Sequence, residues 1–346
     1  MDPAARIAEL ERRIADLGDR SDRHSQWLTA MQGGVDDIRV GYGAQLSDLD
    51  RWARSAVSAL NALTMTPLTP SAMVNGTTLE RRDPAEDARR AALVHTVSRY
   101  LDELRPRSAL KVSVITPTHN RSAYVQRAIA SVLAQEGVDL EHIVVDDASA
   151  DDTPAVLAAI DDPRMRVIRL EQNVGGTAAR NRGLELVTGD VVVYLDDDNL
   201  MARGWLRAVT WAFDRWADRN LLYGARIIED ATDGTAPDAM PNLEHYPFDR
   251  RRLERSNFID MNAIAHRTGL AGAYFDEDIS FCHEWPMMLR LTQVEAPIEL
   301  PVVACIYRTD APNRASSDPA RVAEANPIRA RIPASRPLRV LCHNAM

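Results

Sequence analysis

Four short apolar runs, at residues 112–116, 142–145, 166–170 and 191–195, recur along the middle of the chain, and the segments between them carry helical period. Residues 122–135 space Val125, Ile129 and Val132 along one helical face, an Asp-rich cap opens a helix reaching residue 160, and residues 177–187 form a third. Regular succession of strand and helix implies βαβ units, right-handed crossovers and an α/β fold built on a mostly parallel sheet. In such a sheet, ligands gather outside the carboxyl ends of the strands. The residues that end each run are therefore the ones to read for chemistry.

The fourth run does this most sharply, because it delivers Asp196, Asp197 and Asp198 in succession. Adjacent carboxylates raise one another's pKa unless a cation, an arginine or solvent offsets the charge. Hard oxygen ligands suit Mg2+ or Mn2+, whereas an acidic turn after a buried strand needs no metal at all. Both readings stay open on this stretch alone. Residues 116–121 (Thr-Pro-Thr-His-Asn-Arg) end the first run, Asp146, Asp147, Ala148 and Ser149 end the second, and His283, Glu284 and Trp285 open a late helix. Each group also reads as turn or cap chemistry, which favours Asp, Ser, Thr and Asn. Their convergence on one edge favours a site.

The 346 residues suffice for one large domain or two smaller ones. A net charge of −9 argues against a general nucleic-acid binder. Cys282, Cys305 and Cys342 are too few and scattered for a disulfide framework or zinc site, so a reducing cytoplasm is the expected compartment. No run approaches the roughly 18 apolar residues of a membrane span, which leaves peripheral attachment open.

Residues 1–63 read as a helical extension. Ile7, Leu10, Ile14 and Leu17 form a coiled-coil-like stripe, and Val35, Ile38, Tyr42, Leu46, Leu49, Trp52 and Leu60 a second beyond Gly33 and Gly34. Association with a partner or a second copy through residues 1–60 is expected, with packing onto the same chain as the alternative. Residues 64–82 read as a linker, 83–106 as a helix with Pro84 at its first position, 107–310 as the main domain and 311–346 as an Arg-rich, Pro-interrupted tail. Within the domain we expect a helix over 205–217, strands over 221–228, 257–266 and 302–307, a helix over 285–291, and one long loop over 229–255.

The runs Val-Ser-Val-Ile-Thr-Pro-Thr-His-Asn-Arg, Val-Val-Asp-Asp-Ala-Ser, Gly-Gly-Thr-Ala-Ala-Arg-Asn-Arg-Gly and Tyr-Leu-Asp-Asp-Asp-Asn, in this order and spacing, resemble the family 2 glycosyltransferases of the GT-A fold. The likeness covers about residues 111–308. It implies a Rossmann-like sheet flanked by helices, a nucleotide-sugar donor, UDP above others, a hydroxyl-bearing acceptor, and Mn2+ or Mg2+. By that resemblance Pro117, Thr118, His119 and Arg121 border the nucleotide, Asp147 accepts the uracil N3 hydrogen, and Arg180 lies near the nucleotide and the acidic cluster. Asp198 is the first metal ligand, and Asp196 and Asp197 contact metal, ribose or metal-bound water. Glu284 stands where the family has the Asp of a Glu-Asp-Trp-like motif, which implies a general base in a single inverting displacement. Asp276, Glu277 and Asp278 are rival carboxylates expected to form a turn. Asp310 stands near the place of the family's late His, which leaves Arg308 or Arg314 to serve the diphosphate.

Three rival readings fit the sequence less well. A Rossmann dehydrogenase needs Gly-x-Gly-x-x-Gly after the first strand, which is absent. A nucleotidyltransferase needs a Gly-rich, Lys-bearing loop there, yet Lys111 is the chain's only lysine and precedes that strand. A sugar-nucleotide sensor or scaffold is disfavoured by the intact acidic cluster and the candidate base.

Overall fold

The computed structural model describes residues 84–229, 242–279 and 282–309. The association segment over residues 1–60, the linker, Arg314, Asp310 and the tail lie outside them. By their internal contacts the described residues divide into two units, with the boundary between Tyr100 and Leu101. Helix α1 (Pro84–Leu104) has Val94, Val97 and Tyr100 buried along one face. The sheet belongs wholly to the second unit.

Strand β1 (Lys111–Thr118) is buried along nearly its whole length, as a β-branched run covered on both faces should be. It pairs in parallel with β2 (Asp139–Asp146) and β4 (Val191–Tyr194), and β2 pairs with the edge strand β3 (Met165–Arg169). Helices α2 (Ser122–Leu133), α3 (Thr153–Ala158) and α4 (Gly176–Leu184) make the crossovers. Strand β2 shows why both faces are apolar: Val144 packs with Val125, Ile129 and Leu157 of α2 and α3, while Ile143 and Val145 pack with Ala179 of α4.

Beyond β4 the sheet becomes mixed. Among the described residues its order is β3-β2-β1-β4-β8-β6-β9-β5, with β8 (Ile264–Arg267) antiparallel to β4 and β6 (Leu221–Glu229), and β9 (Ile298–Arg308) parallel to β6. The two-residue β5 (Leu200–Met201) closes against β9, and helix α5 (Trp205–Arg215) follows it. The expected loop over 229–255 is corrected: it contains β7 (Asn242–Glu244), paired with β6, and helix α6 (Arg250–Arg255), capped by the Asp249 side chain. The expected strand over 257–266 shrinks to β8, because Asp260 accepts the Asn262 amide and starts a 3-10 turn at Met261–Ala263. Helix α7 (Glu284–Leu291) is anchored by Trp285, buried among Leu253, Met288 and Leu289 with its Nε1 donating to the Leu253 carbonyl at 2.5 Å. No described helix is long and apolar enough to cross a membrane.

One close approach fixes α4 on the sheet. A Cβ at Gly183 would stand 2.6 Å from Cγ2 of Ile115, a methyl carried on a stiff β-branched stem. Overpacking costs about 1–3 kcal/mol against a helix-propensity gain of up to about 1 kcal/mol. Gly183→Ala is therefore expected to lower the melting temperature by about 3 °C. A melting temperature at or above the wild-type value would show that α4 does not lie so close to β1.

Candidate active site

The site is built where β1, β2 and β4 end. Pro117 lies two residues past Ile115, the last β1 residue paired with β4, so its missing N–H breaks no rung of that ladder. Beyond it the chain turns sharply, with Asn120 in the left-handed region at φ 54°. The amide of Asn120 donates to Ser149 Oγ at 2.9 Å, its side-chain oxygen accepts the Ala150 amide at 2.7 Å, and the Arg121 amide donates to Thr153 Oγ1 at 3.0 Å. His119 Nδ1 lies 2.7 Å from the Asp147 carbonyl and Nε2 lies 2.9 Å from Asn120 Nδ2. Since the carbonyl can only accept, the proton belongs on Nδ1 and Nε2 accepts from the amide. The first two clusters thus form one hydrogen-bonded wall.

Asp147 is buried, and its two carboxylate oxygens accept the amides of Val174 and Gly175, each at 2.8 Å. It ties the end of β2 to the loop that opens α4, where Gly175 has φ 89°. That loop aims α4 so that Arg180, one turn in, ion-pairs with Asp196 while donating to the Gly176 carbonyl at 3.1 Å.

The three acids are held differently. Asp196 pairs with Arg180, and its backbone amide donates to Asn262 Oδ1 at 2.6 Å. Burial acts to raise its pKa, but Arg180 and the hydrogen bonds from Arg180 and Asn262 outweigh that and hold it below the usual range. Asp197 accepts from Thr118 Oγ1 at 2.8 Å, and burial together with the neighbouring Asp198 charge pushes it up to about 7. Asp198 faces Arg121 Nη1 at 3.3 Å. Among the described residues, Asp196 and Asp198 each face an arginine, whereas Asp197 takes the Thr118 hydroxyl instead.

Glu284 opens α7 and is buried, with Oε1 accepting from Asn257 Nδ2 at 2.6 Å. Burial first, and then the Asp260 charge, push it up to about 7, although hydrogen bonds from its own amide and Asn257 pull downward. A carboxylate poised near neutrality suits proton abstraction. At the preceding His283, burial and then the Arg180 charge push the pKa down to about 3, and among the described residues neither buried ring nitrogen has a hydrogen-bond partner. Cys282, just before it, has φ 50°. With Asn120 and Ala148, this places three of the four described non-glycine residues of positive φ within these clusters.

The rival carboxylates take other partners. Asp276 binds Arg290 at 2.6 Å, and Glu277 accepts from Asn181 Nδ2 at 3.0 Å. The Arg308 backbone amide donates at 3.0 Å to Oδ1 of Asn199, the residue that follows the acidic turn. Residues not singled out in the sequence complete the arrangement: Asn257, Asp260, Asn262 and Arg226, whose guanidinium binds Asp260 at 2.5 Å and Glu244 at 2.6 Å. Their one sequence signal was the repeated polar residue inside an otherwise apolar run.

Several known proteins are similar to this chain. The succinoglycan biosynthesis protein ExoO of Rhizobium meliloti is 34% identical over 173 residues, covering 50% of this chain and 44% of that protein. The putative colanic acid biosynthesis glycosyl transferase WcaA of Escherichia coli is 26% identical over 182 residues, 52% of this chain and 65% of that protein. The chain thus spans less than two thirds of either relative. Among solved structures, that of S. aureus TarS 1–349 in complex with UDP-GlcNAc is similar with a TM-score of 0.46 and 20% identity, covering 60% of this chain and 61% of that one. Residues 113–275, which contain the ends of β1, β2 and β4 and the loop before α4, match the model of glycosyl transferase family 2, so that this stretch is a domain of that family.

Proposed function

We propose that the protein transfers a sugar, with inversion, from a UDP-sugar to an acceptor hydroxyl. The observation that carries this reading is a buried Glu284, held by Asn257, in one short segment's reach of a carboxylate turn at Asp196, Asp197 and Asp198, held by Asn262. Glu284 takes the acceptor proton as the oxygen attacks the anomeric carbon. The carbon–oxygen bond to the diphosphate breaks on the opposite face. Asn257 holds the carboxylate in place, and Arg180 and Arg121 keep the acids of the turn apart. The wall of His119 and Asp147 borders the base. The Asp147 carboxylate already accepts two amides, which leaves one lone-pair direction on each oxygen for the uracil N3 hydrogen.

The residues fit a divalent cation shared with substrate. Among the described residues no three His, Cys, Asp or Glu side chains converge as a ready-made metal cage. The turn instead offers three carboxylates in succession, hard oxygen donors that suit Mg2+ or Mn2+ completed by phosphate oxygens and water. Asp198 and Asp196 would hold it. Bound there, such an ion would neutralise the developing charge on the leaving diphosphate.

The test is release of free nucleoside diphosphate from a panel of sugar nucleotides, measured with an acceptor extract and with Mn2+, Mg2+ or EDTA. A UDP-sugar is expected to turn over, and EDTA to stop it. Absence of turnover with every donor, together with EDTA-insensitive donor binding, would sink the reading.

A further inference from the structure

The base and the carboxylate turn stand on different parts of the chain, Glu284 at the start of α7 and Asp196 at the end of β4. In-line displacement requires the two to be held in register, because a misplacement of 1 Å costs on the order of 10²-fold in rate. The short segment from Asn257 to Asn262 touches both. Asn257 donates to Glu284 at 2.6 Å. Five residues later, Asn262 grips Asp196 twice.

That grip follows from sheet register. Strands β4 and β8 pair Val191 with Arg267 and Val193 with Ala265. Continued by three positions, the same register sets residue 262 opposite residue 196. The 3-10 turn has drawn the backbone out of the ladder there, and the Asn262 side chain replaces the missing rung. Its Oδ1 accepts the Asp196 amide at 2.6 Å, while Nδ2 donates to Asp196 Oδ2 at 3.2 Å and to Asp260 Oδ1 at 2.8 Å. The residue is 1% exposed, so its own amide group has little access to water. Only one orientation of the amide works, since the flipped form sets NH2 against an N–H and oxygen against two carboxylates. Asp260 is immobile in turn. Its other oxygen takes Arg226 at 2.5 Å, and that guanidinium lies 4.8 Å over the Tyr307 ring.

We propose that Asn262 is a positioning residue: it locks the carboxylate turn to the segment that carries the base's partner, so that base and leaving-group site keep one spacing. This rests on the reading of Glu284 and the turn as two halves of one transfer site. An amide is required at 262 because a carboxylate would face Asp196 and Asp260 at once.

Compare Asn262→Ala and Asn262→Asp with wild type for donor affinity, for kcat, and for amide hydrogen exchange over the peptides containing residues 195–199 and 284–291. Thermal melts establish which variants fold. The expected result is a fall in kcat of about 10²-fold with donor affinity changed less than about tenfold, Asn262→Asp worse than Asn262→Ala, and faster exchange in both peptides. A space-filling role gives the opposite order, because Asp matches the size of Asn. Faster exchange confined to residues 195–199, or a loss lying wholly in donor affinity, overturns the proposal. If wild type turns over no sugar nucleotide, the proposed function fails, while the exchange pattern still decides whether the two peptides are coupled. Should neither variant fold, the same comparison on Asn257→Ala decides from the other end, where unchanged exchange at residues 195–199 overturns the coupling.

Discussion

Glu284→Gln is expected to bind donor as wild type does and to lose about 10²–10⁴-fold in transfer, the usual contribution of a general base. The amide keeps the size of the side chain and can still accept from Asn257, so the loss would reflect the missing proton acceptor. Because burial and Asp260 push Glu284 up to about 7, activity should climb as pH rises through that region. Asp197 is pushed to about 7 as well, so donor affinity against pH in the Gln variant isolates its share of the profile. The stability effect has a definite sign. A carboxyl raised from 4.5 to about 7 on folding contributes stability that is present below about 4.5 and lost as pH rises through about 7. The Gln variant lacks this loss. It should therefore be more stable than wild type above pH 7, by at most about 3 kcal/mol from a shift of this size. Equal transfer rates in the two proteins would remove Glu284 as the base.

Asp198→Asn is the second large effect. The acid faces Arg121 at 3.3 Å, and its charge is a cause of the upward shift at Asp197. Neutralising it relieves that repulsion, so the fold should not suffer, and a melting curve checks this. Metal-dependent donor affinity should nevertheless fall by about 10²-fold or more, because charge stabilisation by a bound cation is worth several kcal/mol. Titrating a UDP-sugar into both proteins, with Mn2+ and with EDTA, measures the difference. If the variant binds donor as tightly as wild type and responds to EDTA in the same way, Asp198 is not a ligand.

The acidic turn and the candidate base were legible as residue types at particular places, since strand ends and helix starts follow from hydrophobic period. What the sequence could not separate was which acid does what. Asp196, Asp197 and Asp198 are chemically identical, and they differ only through Arg180, Thr118 and Arg121, which arrive from three other segments. Asp147 offers a similar lesson. The family resemblance implied a ligand contact for it, and its carboxylate also ties β2 to the loop before α4.

The segment over 257–266 marks the boundary between the two kinds of information. Its apolar period predicted a strand, and the strand exists as Ile264–Arg267. Asp260 captured the Asn262 amide and turned the preceding residues out of the sheet, a local competition between side chain and backbone that period does not register. The sequence by itself determined the alternation of strand and helix, the parallel half of the sheet and the residue types at its edge, because these depend on local period and on chemistry a few residues apart. Only the tertiary structure decided the antiparallel half, the partner of each acid and the link from Asn257 to Asn262, because these depend on contacts between segments far apart in the chain, where burial and charge are set by neighbours the local sequence does not name.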